Sequence, residues 1–361
     1  MCADSLKKIR VEIDTLDREI QRLINERARC AQRVAEIKLA AEDNPVFYRP
    51  EREAEILREV KARNEGPLSD HEMARLFREI MSSCLALELP MRVGYLGPEG
   101  TFTQSAVLKH FGHAVVAASY GAIDEVFRAV EADEAAYGVV PVENSTEGAV
   151  NHTLDTFITS PLKICGEVEL RIHHFLMSAD VELGAVKRLY SHHQSFAQCR
   201  EWLDAKLPGV ERIPVSSNSE AAKRAAQDQE SAAIAGEIAA EIYDLSILAR
   251  KIEDNPNNTT RFLVIGKSSP PPSGVDKTSI LVSAPNRPGA LFNLLEPLHQ
   301  NGVSMTRIES RPSKQGMWDY VFFIDVEGHA SEPRLAEVLP KLEDRAAMMK
   351  VLGAYPVGVL G

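Results

Sequence analysis

A chain of 361 residues exceeds one ordinary core, because domains usually run about 100–200 residues, so two or three are expected. With 41 Lys+Arg against 52 Asp+Glu the formal charge is −11, which argues against nucleic acid or an anionic membrane as the main partner. No apolar run reaches the roughly 18 residues of a membrane span and the N-terminus is polar, so a cytoplasmic location is expected. The five cysteines are scattered with no C-x-x-C pair and read as reduced thiols, and neither metal nor cofactor is expected. The acidity is uneven: residues 1–90 carry 16 basic and 18 acidic residues, residues 91–268 carry 16 and 24, and the remainder 9 and 10. An anionic small substrate must therefore be met by local clusters, since the overall field repels it.

Residues 1–90 read as helical. Leu6, Ile9, Ile13, Leu16, Ile20, Leu23 and Ile24 recur at spacings of three and four with no Gly or Pro before Pro45, predicting one helix over about 5–40. Pro50 suits the first position of a second helix reaching about Arg63, and Ser69 to Glu72 forms a capping box for a third that ends near Leu89. Three helices, one very long, bury the first poorly, and an intertwined dimer solves that. From Arg92 the pattern becomes βαβ: RVGYLG, a helix from Thr103, VVAAS, a helix from Ala122, YGVVPVEN, a helix from Glu147. This indicates an α/β domain with mainly parallel strands. ELRIHHFLMS, RLYSHH, a helix over Ser219–Gln229 and RFLVIG continue it. After the linker SSPPPSG come strand TSILVSA, helix 290–300, strands 303–311 and 317–326, helix 331–345 and strand 348–353, the βαββαβ order of a ferredoxin-like fold. The expected domains are 1–91, 92–268, and 269–361 with a folded part at about 278–353.

On the first helix Arg27 and Lys38, 11 residues apart, lie within about 20° of one face and about 16 Å along the axis, with the small Ala31 and Ala35 and with Val34 between them. Two long cations flanking small residues leave room for a compact dianion. Arg10 is too far along the same helix to share that ligand, but a partner helix can deliver it. The set Arg10, Arg27, Lys38, Arg52-Glu53 and Cys84-x-x-x-Glu88 resembles the all-helical chorismate mutase family over nearly all of residues 5–89. The resemblance implies that the partner's Arg10 and Arg27 grip the substrate carboxylates, Lys38 and Glu88 the ether oxygen, and Glu53 the ring hydroxyl, with Arg49, Arg52 and Cys84 at the site. The family's usual Ser and Gln are here Cys84 and Glu88. Because an ionised carboxylate cannot donate to an ether oxygen, Glu88 is expected to work protonated, its pKa raised by burial, with mutase activity favouring acidic pH.

In the middle region GPEGTF, VPVENSTEG and NTTRF each sit at a strand end. Thr101 is a helix cap with Gln104 as reciprocal partner, and free helix-end amides at strand termini are ready carboxylate sites. Together with Ser191-His192-His193-Gln194 these segments closely resemble prephenate dehydratase over about residues 92–267. The resemblance implies two α/β lobes like those of periplasmic binding proteins with the site in the cleft. It makes Thr260 the essential residue and Arg261 the carboxylate partner, with Thr101, Asn144, Ser145, Thr146, Glu147, His192 and Phe262 lining the cleft. A Thr hydroxyl is too weak an acid to protonate a leaving group outright, so Thr260 is read as a hydrogen-bond donor to the departing hydroxide, relaying a proton from Glu147 or His192. A metal at His173-His174 or His192-His193 is disfavoured, since adjacent strand residues face opposite ways.

Asn286-Arg-Pro-Gly289-Ala290-Leu291 and Glu309-Ser310-Arg311-Pro resemble the two signature segments of the ACT regulatory domain. That implies amino-acid binding at a paired interface, with L-phenylalanine as the end-product inhibitor. The expectation is thus a multidomain enzyme with an all-α mutase domain, a two-lobed α/β dehydratase and a ferredoxin-like α+β sensor. It would take chorismate through prephenate to phenylpyruvate as a homodimer with shared mutase sites. The alternatives are a ligand-sensing protein without catalysis, which would need neither the TRF segment nor the basic set, and the same fold acting on arogenate.

Overall fold

The computed structural model describes residues 2–41, 46–284, 287–312 and 320–360, with side chains from residue 5. Helix α1 (Cys2–Ala41) is followed by α2 (Pro50–Ala62) and α3 (Asp70–Ala86). Ser69 caps α3, its hydroxyl accepting the Glu72 N–H at 3.2 Å. Every residue of α1 from 5 to 26 is exposed, and the first partly covered positions are Arg27 and Ala28, followed by Ala31, Ala35 and Lys38, the face that meets α3. The apolar stripe predicted on this helix therefore has no partner among the described residues.

The first lobe of the α/β region holds β1 (Arg92–Leu96), α4 (Phe102–Phe111), β2 (Val116–Tyr120), α5 (Ile123–Glu131), β3 (Tyr137–Asn144), β4 (Gly148–Ala149), α6 (Asn151–Thr159) and β5 (Lys163–Arg171). The second holds β6 (Phe175–Ser178), β7 (Arg188–His192), α7 (His193–Gln198), α8 (Arg200–Lys206), β8 (Glu211–Val215), α9 (Asn218–Ala225), β9 (Ser231–Ala235), α10 (Glu237–Ile242) and β10 (Ser246–Ala249). The chain then returns to the first lobe as β11 (Thr259–Gly266). The sheets run β2-β1-β3-β11-β5 and β10-β6-β9-β7-β8. Each is mixed rather than mainly parallel: β11 is antiparallel to β3 and β5, and β6 to β9 and β10, as befits strands that cross between lobes. The helix expected from Glu147 begins instead at Asn151. The Asn144 side chain accepts the N–H groups of Thr146 and Glu147, and Gly148 at φ +83° turns the chain into the short strand β4 before α6 starts. The predicted helix over Ser219–Gln229 is the shorter α9, capped by Ser217.

The last domain is β12 (Asp276–Ser283), α11 (Ala290–Gln300), β13 (Met305–Pro312), β14 (Tyr320–Glu327), α12 (Pro333–Glu343) and β15 (Met348–Pro356), in sheet order β13-β14-β12-β15. Strand alternation lets β12 serve two cores: Ile280 and Val282 pack on α11 and α12, while Leu281 turns the other way with Phe323, Leu352 and Tyr355 into the core of the first lobe. The Lys163 ammonium donates to the Val351 carbonyl at 2.6 Å, and that of Lys350 to the Phe157 carbonyl at 2.9 Å. The helical region is tied in as well. Tyr48 is buried in the first lobe's core, and Val359 and Leu360 pack against Leu57, Ala74 and Met81. Cys30, Cys84, Cys165 and Cys199 are free thiols. Among the described residues no helix is long and apolar enough to cross a membrane.

Candidate active sites

Two places gather the predicted residues. On the helical domain, Arg27 and Lys38 lie on the covered face of α1 opposite Glu88, whose carboxyl is pushed up from its ordinary value by burial while Lys38 and Arg27 pull it down. The Lys38 ammonium donates to the Val46 carbonyl at 2.8 Å and sits 5.4 Å from the Phe47 ring. Glu53 carries a partner absent from the sequence reading, the buried guanidinium of Arg78 on α3. Burial raises the Glu53 pKa and Arg78 opposes that rise. Cys84 is buried on α3, whereas Arg49 reaches back to the buried Glu51 at 2.5 Å and the exposed Arg52 pairs with Glu55 at 3.0 Å. Arg10 stands on the exposed part of α1, away from the others.

The second place is a cleft of about 440 Å³ between the two lobes. Two crossing segments form its floor, and Glu253 clasps them by accepting the His174 N–H at 2.9 Å and meeting His173 Nδ1 at 2.6 Å. His174 Nε2 instead meets Gln198 at 2.8 Å, so the adjacent histidines have separate partners. From the first lobe come Thr101, Asn144, Glu147 and Thr260, and from the second His192, Gln194 and Asn218. The lobes touch at the back, where a Cβ on Gly236 would meet the Phe102 ring at 2.9 Å. The Thr101 cap is formed, its hydroxyl accepting the Gln104 N–H at 3.5 Å, but the Gln104 side chain accepts the N–H of Gly100, one residue before the cap, at 2.6 Å. His192 has its pKa lowered by burial and by His193, which favours the neutral imidazole and weakens it as a proton source.

Four predicted cleft residues sit elsewhere. Thr260 faces the cleft, so the next strand residue, Arg261, points to the opposite face. There its guanidinium donates to Glu167 at 2.9 Å, Asp325 at 2.6 Å and the Tyr355 hydroxyl at 3.0 Å, and Lys277 adds a second cation to Glu167 at 2.8 Å. Arg261 is thus the centre of a buried lock between β11 and the C-terminal sheet rather than the carboxylate partner. Phe262 is 2% exposed in the first lobe's core. Ser145 is spent on the turn, its N–H bonded to the Thr259 carbonyl at 2.8 Å and its hydroxyl accepting the Thr259 N–H at 2.9 Å. Thr146 bonds Asn258 at 3.0 Å and supports the cleft from outside it. Among the described residues the lining includes no Lys or Arg, and the N-termini of α4 and α9 offer positive potential to an anion. Gln198 and Asn218 line the cleft without a sequence signal, and Asn258 and His174 line it too, the first marked in the sequence only as the head of the NTTRF segment and the second only as a disfavoured metal ligand. Asn258, two residues before Thr260, was accessible through strand periodicity.

In the C-terminal domain Gly289, at φ +77°, ends an exposed turn into α11, with Ala290 and the exposed Leu291 following. Asn286 lies outside the described residues. Glu309 is partly exposed and Ser310 exposed on β13, while Arg311 is committed to Asp155 of α6 at 2.8 Å. Arg307, between these segments, reaches Glu143 at 2.8 Å.

Three family models cover the chain: chorismate mutase type II over residues 9–89, prephenate dehydratase over 93–270 and the ACT domain over 278–344. A bifunctional chorismate mutase/prephenate dehydratase of Stutzerimonas stutzeri is 60% identical over 362 residues, 99% of both chains. The chain belongs to the bifunctional chorismate mutase/prephenate dehydratase family. The enzyme of that name from Pseudomonas aeruginosa is 59% identical over 361 residues, again 99% of each chain. A prephenate dehydratase of Arthrobacter aurescens, solved in complex with L-Phe, superposes with a TM-score of 0.68 at 35% identity, covering 73% of this chain and 89% of that one. In this bifunctional family's terms residues 9–89 are the chorismate mutase domain and residues 93–270 the prephenate dehydratase domain.

Proposed function

We propose that this chain rearranges chorismate to prephenate on its helical domain, converts prephenate to phenylpyruvate in the inter-lobe cleft, and is inhibited by L-phenylalanine acting on its ACT domain. The observation that carries the dehydratase reading is Thr260: its hydroxyl lines the cleft and accepts from Asn144 Nδ2 at 2.8 Å, leaving its own proton to be donated elsewhere. In the reaction the electron pair of the C–C bond to the leaving CO2 enters the ring as the C–O bond breaks, and the departing hydroxide takes up a proton to become water. Aromatisation drives the step, so the site needs only to hold the dianion and stabilise charge growing on one oxygen. Helix ends supply the first function and Thr260 the second.

The mutase step is pericyclic and needs a fixed conformer and a donor at the ether oxygen, with no nucleophile. Arg27, Lys38 and a protonated Glu88 fit that demand, and the missing carboxylate grip is the partner's Arg10. A homodimer follows from the same helix: Leu6 at 53%, Leu16 at 62% and Ile20 at 53% exposure form a stripe that a second copy of α1 covers. Sedimentation of the purified chain tests this, and a monomer at micromolar concentration with full mutase turnover would refute it. In the ACT domain the Gly289 turn and Glu309–Ser310 offer exposed polar backbone to an amino acid. Loss of phenylalanine inhibition on substituting Gly289, with basal turnover retained, is the expected result.

A further inference from the structure

We propose that Asn258 is a positioning residue for the dehydratase step, acting through Asn144 on Thr260; this rests on the reading of Thr260 as the donor. The Asn144 oxygen is identified by its partners, because it receives two backbone N–H groups, from Thr146 at 2.9 Å and Glu147 at 3.1 Å. The other end of that amide is therefore NH2, with two protons to place. One goes to Thr260 Oγ1 at 2.8 Å and the other to Asn258 Oδ1 at 2.9 Å. Asn258 Oδ1 also accepts the Thr146 hydroxyl at 3.0 Å, tying the turn over Asn144 to the strand that carries Thr260.

The consequence for Thr260 is directional. A hydroxyl has one proton, and an amide nitrogen has no lone pair to accept it, so the bond from Asn144 fixes Thr260 Oγ1 as acceptor on that side and frees its proton for the cleft. Without the Asn258 acceptor, the second Asn144 N–H loses its partner on the partly buried wall of the cleft, and the amide is free to turn away from Thr260 to find another. Asn258 itself is 3% exposed. Its backbone is held independently, its N–H bonded to the Asn255 carbonyl and its carbonyl accepting the Ile172 N–H at 2.8 Å, so a side-chain change addresses the amide network alone.

The test is steady-state kinetics of both activities on the full chain. Asn258→Leu keeps the volume and removes the acceptor; dehydratase kcat should fall about 10- to 100-fold with KM within about threefold, while mutase kcat, the folding control, is unchanged. Asn258→Asp keeps an acceptor oxygen for both donors, so kcat should stay within about fivefold of wild type and the loss should appear in KM, because a new negative charge faces a dicarboxylate. If the Leu variant also lowers mutase turnover, the comparison of Asn258→Ala with Asn258→Asp decides. Full dehydratase kcat in the Leu or Ala variant, or an Asp variant as slow as either, overturns the proposal. Thr260→Ala run in parallel separates the two claims: retained turnover there removes the donor reading itself, whereas an inactive Thr260→Ala beside an active Asn258→Leu removes only the positioning role.

Discussion

In the proposed reading the mutase face and the dehydratase cleft meet related dianions with opposite materials. The first offers long cationic side chains on the partly covered face of one long helix, and Arg10 of a second copy would complete it. The second offers amides, hydroxyls and helix ends fixed by strands on both sides, and among the described residues its lining contains no Lys or Arg. A flexible cation tolerates imprecise placement because its charge acts over several ångströms, whereas a hydroxyl donor works only at hydrogen-bond distance and needs a rigid frame. The difference explains why the strands around Thr260 are anchored on their far face by Arg261 and Arg307, while most of α1 stands free.

The contrast can be broken most sharply at Thr260. Replacing it by Ala should cut dehydratase kcat by about 10²- to 10³-fold, the size seen when one preorganised donor is removed, and leave mutase turnover unchanged in a coupled assay. Next comes Arg10→Ala, which should abolish most mutase activity and spare the dehydratase. Mixing it with Arg27→Ala subunits should restore part of the mutase activity, because one site of the mixed dimer regains both arginines. No recovery would refute the shared site.

A third effect concerns stability. Arg261→Ala leaves Glu167 and Asp325 buried with reduced pairing and should cost about 3–5 kcal/mol in urea unfolding. Prephenate KM for Arg261→Lys should stay within about twofold; a tenfold rise would restore Arg261 to the substrate. The smallest effect is in the mutase pH profile. Burial raises the Glu88 pKa, so the donor form grows as pH falls from neutrality and mutase kcat should rise with it. Glu88→Gln should flatten that profile, and an unchanged profile would exclude the protonated carboxyl.

Much of this was legible in the chain itself. The period of Leu6 to Ile24 showed α1 and its open face, and Ser69 and Thr101 marked helix starts that the structure confirms. Arg261 adjoins Thr260 in the motif, yet strand alternation puts it on the opposite face, so adjacency in the sequence is no guide to a shared site there. The partners Glu167 and Asp325 of Arg261 depend on how the C-terminal sheet docks on the first lobe, and Arg78 reaches Glu53 only through the packing of α3 on α2, neither of which leaves a local sequence signal. Asn258 lay between these cases: its spacing from Thr260 was visible, but its role appears only when the two protons of the Asn144 amide are assigned.

Giving chorismate alone to the purified chain at neutral pH and following both products, with and without L-phenylalanine, tests the bifunctional activity most directly. Prephenate should pass through and phenylpyruvate accumulate, more slowly when phenylalanine is present. Chorismate consumed with prephenate persisting, or chorismate left intact, would contradict it.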